Sequence, residues 1–237
     1  DGAVFQPEWT PDGSLLFVLE KGEWSGLFSW RDGETRPLLT PEAELLRPLW
    51  ALSLRSYAVL GETHVAAVAV REGEHELWLI ERMSGAAARM ALPHRCIDDL
   101  AAAGGMRIYA LVCDDEAVPA VCEADFSSGE AVWQLLARPG AMNLPSGAIS
   151  HGRTRRLAAG TGQSVPTVHY APPNPHHHAH GPPPPLVPAH RGPTGPPPRG
   201  PHPTTPLWTS PGLAPPDAPA PPPPPPAPTH PHDPSAT

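Results

Sequence analysis

Apolar residues along this chain come in short runs broken by turn chemistry, and no long stripe keeps a helical period. Leu15 to Leu19 follows Pro11-Asp12-Gly13, whose residue types favour a tight turn. Leu27 to Trp30 leads into Arg31-Asp32-Gly33-Glu34, an Asp-Gly hairpin signal, and Thr35 to Leu39 is the returning strand. The same grammar recurs as Tyr57 to Leu60, His64 to Val70, Glu76 to Ile80, a turn at Met83-Ser84-Gly85 and a weaker strand from Ala88 to Leu92. It recurs again as Ile97 to Ala101, Arg107 to Cys113, Ala120 to Ala124, a turn at Ser127-Ser128-Gly129 and Ala131 to Leu136. Gly33, Gly85 and Gly129 fall 52 and 44 residues apart, close to the period of a four-stranded propeller blade. A helix over Leu100 to Ala103 would be stopped at once by Gly104-Gly105.

The pattern therefore predicts an all-β fold, a partial β-propeller of three blades over about Phe5 to Leu136, with no helix beyond about two turns. The first blade is expected to lack its innermost strand. Three blades do not close a ring, so two sheet edges are expected to stay exposed.

Composition changes sharply near Val165. Most of the 38 prolines lie beyond it, with runs at Pro182–Pro185 and Pro221–Pro226, and acidic residues almost vanish there. Each proline removes a backbone donor and fixes φ, so these runs favour polyproline II over sheet or helix. The expected division is a propeller part, 1–165, and a Pro/His-rich segment, 166–237, largely disordered for want of apolar groups to offset ordering entropy. His176, His177, His178 and His180 could chelate a divalent metal, but a solvated linker is the favoured reading, so no metal and no cofactor are expected. The proline runs lack a flanking specificity residue and read as low complexity rather than as a groove ligand.

The 237 residues hold 16 Lys and Arg against 24 Asp and Glu, a net charge of −8, which argues against a nucleic-acid partner. The one basic cluster, Arg153, Arg155 and Arg156, reads as a solvated loop. No apolar run approaches the ~20 residues of a membrane span, so no membrane partner is expected. The chain begins at Asp1 and reads as a fragment. Cys96, Cys113 and Cys122 are too widely spaced for a metal knuckle, and three free thiols suit a cytoplasmic setting, with a Cys113–Cys122 cross-hairpin pair as the lesser alternative.

Several segments resemble the prolyl oligopeptidase family of serine peptidases, of the dipeptidyl and acylaminoacyl peptidase kind. Phe5-Gln6-Pro7-Glu8-Trp9-Thr10-Pro11-Asp12-Gly13 before Leu15-Leu16-Phe17-Val18 is similar to its propeller repeat, with Trp9 filling the space between blades. Trp30-Arg31-Asp32-Gly33-Glu34 with Arg36-Pro37-Leu38 resembles its blade ending. Tyr170-Ala171-Pro172-Pro173-Asn174-Pro175 looks like the approach to its hydrolase domain. His190-Arg191-Gly192-Pro193-Thr194-Gly195 and Leu207-Trp208-Thr209-Ser210-Pro211-Gly212 are similar to the segments that follow.

The resemblance implies a propeller that restricts a catalytic α/β-hydrolase domain to peptide substrates. It places one oxyanion-hole candidate at Gly192, whose backbone N–H would face the developing oxyanion. Arg191 stands where the family has glycine, and Pro188 interrupts the expected central strand. The sequence contains no Gly-x-Ser-x-Gly elbow, and Ser146 follows Pro145, so no catalytic residue is assigned and the chain alone is expected to be inactive. The alternative reading is a non-catalytic propeller module with a Pro-rich interaction tail.

Overall fold

The computed structural model describes residues 2–45, 47, 53–114, 119–139, 150–158, 164–171 and 173, with the backbone of Pro216–Asp217. Three four-stranded antiparallel meanders follow one another along the chain. The first comprises β1 (Val4–Trp9), β2 (Leu15–Lys21), β3 (Trp24–Arg31) and β4 (Glu34–Leu39). The second holds β5 (Tyr57–Leu60), β6 (His64–Arg71), β7 (Glu74–Glu81) and β8 (Ala87–Met90), and the third β9 (Cys96–Gly104), β10 (Arg107–Cys113), β11 (Ala120–Asp125) and β12 (Val132–Ala137). A further hairpin, β13 (Gly152–Ala158) and β14 (Ser164–Tyr170), pairs with the short β15 (Pro216–Asp217). No helix occurs among the described residues.

The middle blade explains why its strands lack a polar alternation. Along β6, Val65, Ala67 and Ala69 face, with Tyr57 of β5, a core shared with Leu16, Val18 and Leu27 of the first blade. Ala66 and Val68 face the opposite core, with Ile97, Leu100, Ile108 and Val112 of the third. Successive side chains point to opposite faces of a strand, so a strand covered on both faces must be apolar throughout. The alanines keep the sheets close. Burying each larger aliphatic side chain in these seams stabilises the stack by about 1.5–3 kcal/mol.

Two expectations need correction in the first blade. Its innermost strand is present as β1, disguised in the sequence by Pro7 and by a bulge between Phe5 and Glu8. Proline cannot donate to a ladder, and a bulge is where a strand tolerates it. Gln6 at the bulge has a φ of 46°, unusual for a residue with a side chain. Its amide is well used there: Oε1 accepts from the Ser56 N–H at 2.8 Å, and Nε2 donates to the Tyr57 carbonyl at 2.9 Å. The second correction is Trp9, which is 63% exposed rather than buried between blades. It meets Trp30 of its own sheet edge-on, with ring centroids 6.3 Å apart.

A polar hub joins the turns of the first and second blades. Gly13 takes a φ of 80° in the Pro-Asp-Gly turn, which leaves the Asp12 carboxylate facing the neighbouring blade. The buried Arg82 donates to Asp12 Oδ1 at 2.6 Å, to Thr10 Oγ1 at 2.8 Å and to the Glu62 carbonyl at 2.6 Å. Arg36 in turn donates to the Arg82 carbonyl. Hydrogen bonds from Thr10 and then Arg82 hold the Asp12 carboxyl well below the usual carboxylate range. The turn motif read in the sequence is thus also the fastener between blades.

Candidate functional site

At the opposite end from that hub, the β6/β7 turn, the start of β9 and the β13–β14 hairpin converge. Arg71 pairs with Glu74 across the turn, which leaves Glu72 and Gly73 at its tip with φ of 47° and 78°. Two consecutive left-handed residues make the tight hairpin turn that suits the twist of antiparallel strands. That geometry carries the Glu72 carboxylate outward to an ion pair with Arg156 of β13. The propeller and the hairpin are therefore joined at this point.

Between them lies a cleft of about 540 Å³, lined by Arg71, Arg89, Arg95 and Arg153 against Glu72, Glu74 and Glu76. Glu76 is the buried anchor: it accepts from Arg71 Nε at 3.2 Å and Trp78 Nε1 at 3.2 Å, and Arg89 lies 3.4 Å away. Desolvating a carboxylate is costly unless several donors compensate it, and these three do so. The cations are thereby held at the cleft wall by a fixed anion beneath them. Gly152 sits where a Cβ would fall 2.7 Å from Val168 and 2.9 Å from the Tyr170 ring, so the hairpin closes tightly only with glycine there.

The basic cluster read as a loop is a strand. Arg153, Arg155 and Arg156 lie on β13, paired with His169, Thr167 and Pro166 of β14. Arg153 lines the cleft, and Arg156 also donates to Ser164 at 2.9 Å. The register likewise separates two of the cysteines: Cys122 stands opposite Ala110, whereas Cys113 stands opposite Cys96. Gly192, Ser146, the histidines 176–180 and both proline runs lie outside the described residues. The cleft itself was not foreseen; Arg71-Glu72-Gly73-Glu74, a charged turn between apolar strands, was its one local signal.

No protein-family profile matches the sequence, and no curated protein is significantly similar to it. The structure, in contrast, is close to that of a puromycin hydrolase, with 26% identity and a TM-score of 0.79 over 91% of this chain and 33% of that one. The fold is that of the propeller of prolyl oligopeptidase-type peptidases. A puromycin-hydrolyzing peptidase of Mycobacterium tuberculosis superposes with a TM-score of 0.78 at 23% identity, over 91% of this chain and 33% of that one. The acylaminoacyl peptidase of Pyrococcus horikoshii shares the fold at 17% identity and a TM-score of 0.59, over 90% of this chain and 32% of that one. The chain thus spans about a third of the length of these family structures. Both the blades and the strand grammar read from the sequence are those of the family's propeller.

Proposed function

We propose that this chain is the propeller wall and domain-joining segment of a cytoplasmic serine-type peptidase, in which the propeller limits access to short peptides. The observation that carries this reading is the union of two parts in one structural match. The blades and the β13–β14 hairpin meet at the Glu72–Arg156 ion pair, and 91% of the chain superposes on a puromycin hydrolase. In this reading residues 1–165 belong to the propeller side and 166–237 to the start of the hydrolase side, with Gly192 offering its N–H to the oxyanion. The charged cleft stands on the path between the two. Its arginines, anchored on Glu76, suit the carboxylate end of a short peptide, because a fixed guanidinium offers paired donors to a carboxylate.

The test uses the complete polypeptide of the parent gene and one scissile bond presented in two settings. The bond is cleaved when it lies in a short chromogenic peptide and spared when it lies in an exposed loop of a folded protein. Arg71→Ala with Arg89→Ala raises KM for peptides with a free carboxylate while sparing amidated ones. Equal cleavage of the peptide and the folded substrate would overturn the gating role.

A further inference from the structure

Close to the cleft, the antiparallel pair β9–β10 brings two thiols and a carboxylate together. Cys113, the last residue of β10, is the cross-strand partner of Cys96, the first residue of β9. Asp98 lies two residues beyond Cys96, at the bulge where the pairing shifts between Leu111 and Val112. The Cys113 thiol donates to Asp98 Oδ2 at 3.0 Å, and the two sulfurs and the carboxylate oxygen all lie within 4.8 Å of one another. Tetrahedral zinc with bonds of roughly 2.3 Å to sulfur needs its ligand atoms roughly 3.8 Å apart, so the set needs to contract by about 1 Å or less. Cys96 is buried, while Cys113 and Asp98 are partly exposed, which leaves an approach from solvent.

We propose that Cys96, Cys113 and Asp98 form a binding site for a thiophilic divalent cation of the zinc class, with water in the fourth position.

The surroundings match the charge of such a complex. Two thiolates and one carboxylate on a dication leave a net charge of −1, and the Arg47 guanidinium, which donates to the Ile97 carbonyl, lies within electrostatic reach of all three ligands. Asp99 is committed elsewhere, its Oδ1 accepting the N–H groups of Arg55 and Leu100 at 2.9 Å each. His75 Nδ1 accepts the Ile97 N–H at 3.2 Å, which braces the turn of chain between the two first ligands. Ordinary thiols carry their protons at neutral pH, whereas the thiolate is the metal ligand. Binding therefore exchanges two thiol protons for the ion: M²⁺ plus two S–H gives two M–S bonds and two H⁺ released to solvent. No oxidant or reductant is involved.

The experiment titrates the reduced full chain with Cd²⁺, following the sulfur-to-metal charge-transfer absorption in the ultraviolet, and then displaces Cd²⁺ with Zn²⁺. The expected result is one charge-transfer site per chain and two protons released per ion in weakly buffered solution. Cys96→Ser and Cys113→Ser each weaken binding by more than ~100-fold, beyond what loss of an outer partner costs. Cys122→Ser leaves it unchanged, and ions held by histidines give no such band. If the serine variants lose their sheet signal in circular dichroism, Asp98→Asn keeps both thiols and is expected to weaken binding about 10-fold. Absence of the band in wild-type chain, or a band that survives Cys113→Ser in folded protein, would overturn the site.

Discussion

Three side chains carry predictions at the residue scale. Arg82 is buried, so truncating it strips a donor from the Thr10 hydroxyl and the Glu62 carbonyl as well as breaking the ion pair with the partly exposed Asp12. Arg82→Ala is expected to cost about 3 kcal/mol in urea unfolding. The depressed Asp12 pKa makes the contribution of this pair fully present above the ordinary carboxylate pKa and lost as pH falls towards its lowered folded value. His75 acts at milder acidity. Burial, and secondarily Arg47, lower its pKa from 6.5 to about 4, so the unfolded chain takes up a proton that the folded chain refuses. Stability is therefore unaffected above about pH 6.5 and falls as pH drops towards 4, by about 2–3 kcal/mol. His75→Gln should flatten the urea midpoint across that window, measured with chelator present; an unchanged slope would contradict the burial argument. Gln6 is the third: Gln6→Ala removes partners from Ser56 and Tyr57 and should cost about 1–3 kcal/mol.

Among the elements, legibility followed how local the cause was. Tyr57–Leu60 and Arg107–Cys113 were placed to the residue, because turn residues bound them on both sides. β1 was missed because Pro7 and the Gln6 bulge break the alternation on which strand reading depends. β13 was missed because three arginines within four positions, with Arg155 and Arg156 adjacent, show no apolar alternation and read as solvated, although pairing with β14 supplies their backbone partners. The Cys96–Cys113 juxtaposition depends on a register shift between Leu111 and Val112, and nothing local announces it. Gly152 offers a test confined to one element. An alanine there forces Val168 and the Tyr170 ring aside, and overpacking of this kind costs about 1–3 kcal/mol. Gly152→Ala should accelerate hydrogen exchange in Ser164–Tyr170 while leaving β6 and β10 protected. Equal acceleration everywhere would mean that the hairpin and blades unfold as one unit.

For the whole molecule, the two outer blades each leave an apolar face without a sheet against it among the described residues. Val4, Trp9, Trp24 and Trp30 are exposed on the first, and Tyr109, Leu111, Val121 and Val132 on the third. Exposed aromatic and aliphatic side chains on an outer sheet favour association, so the isolated chain is expected to self-associate as its concentration rises. Leu111→Lys with Val121→Lys should shift sedimentation towards monomer. The propeller identity was legible from the Pro-Asp-Gly and Ser-Gly turns, whereas the charged cleft was not, because its walls come from β6, β7, β8 and β13 and only folding unites them. The catalytic reading rests on residues beyond those the structure describes, and it is decided by where a serine-directed phosphonate reacts. The phosphonate is expected to leave the 237-residue chain unlabelled and to modify one serine outside it in the complete gene product, abolishing peptide hydrolysis. Stoichiometric labelling of a serine within this chain, or a complete gene product that hydrolyses no peptide and takes up no phosphonate, would contradict it.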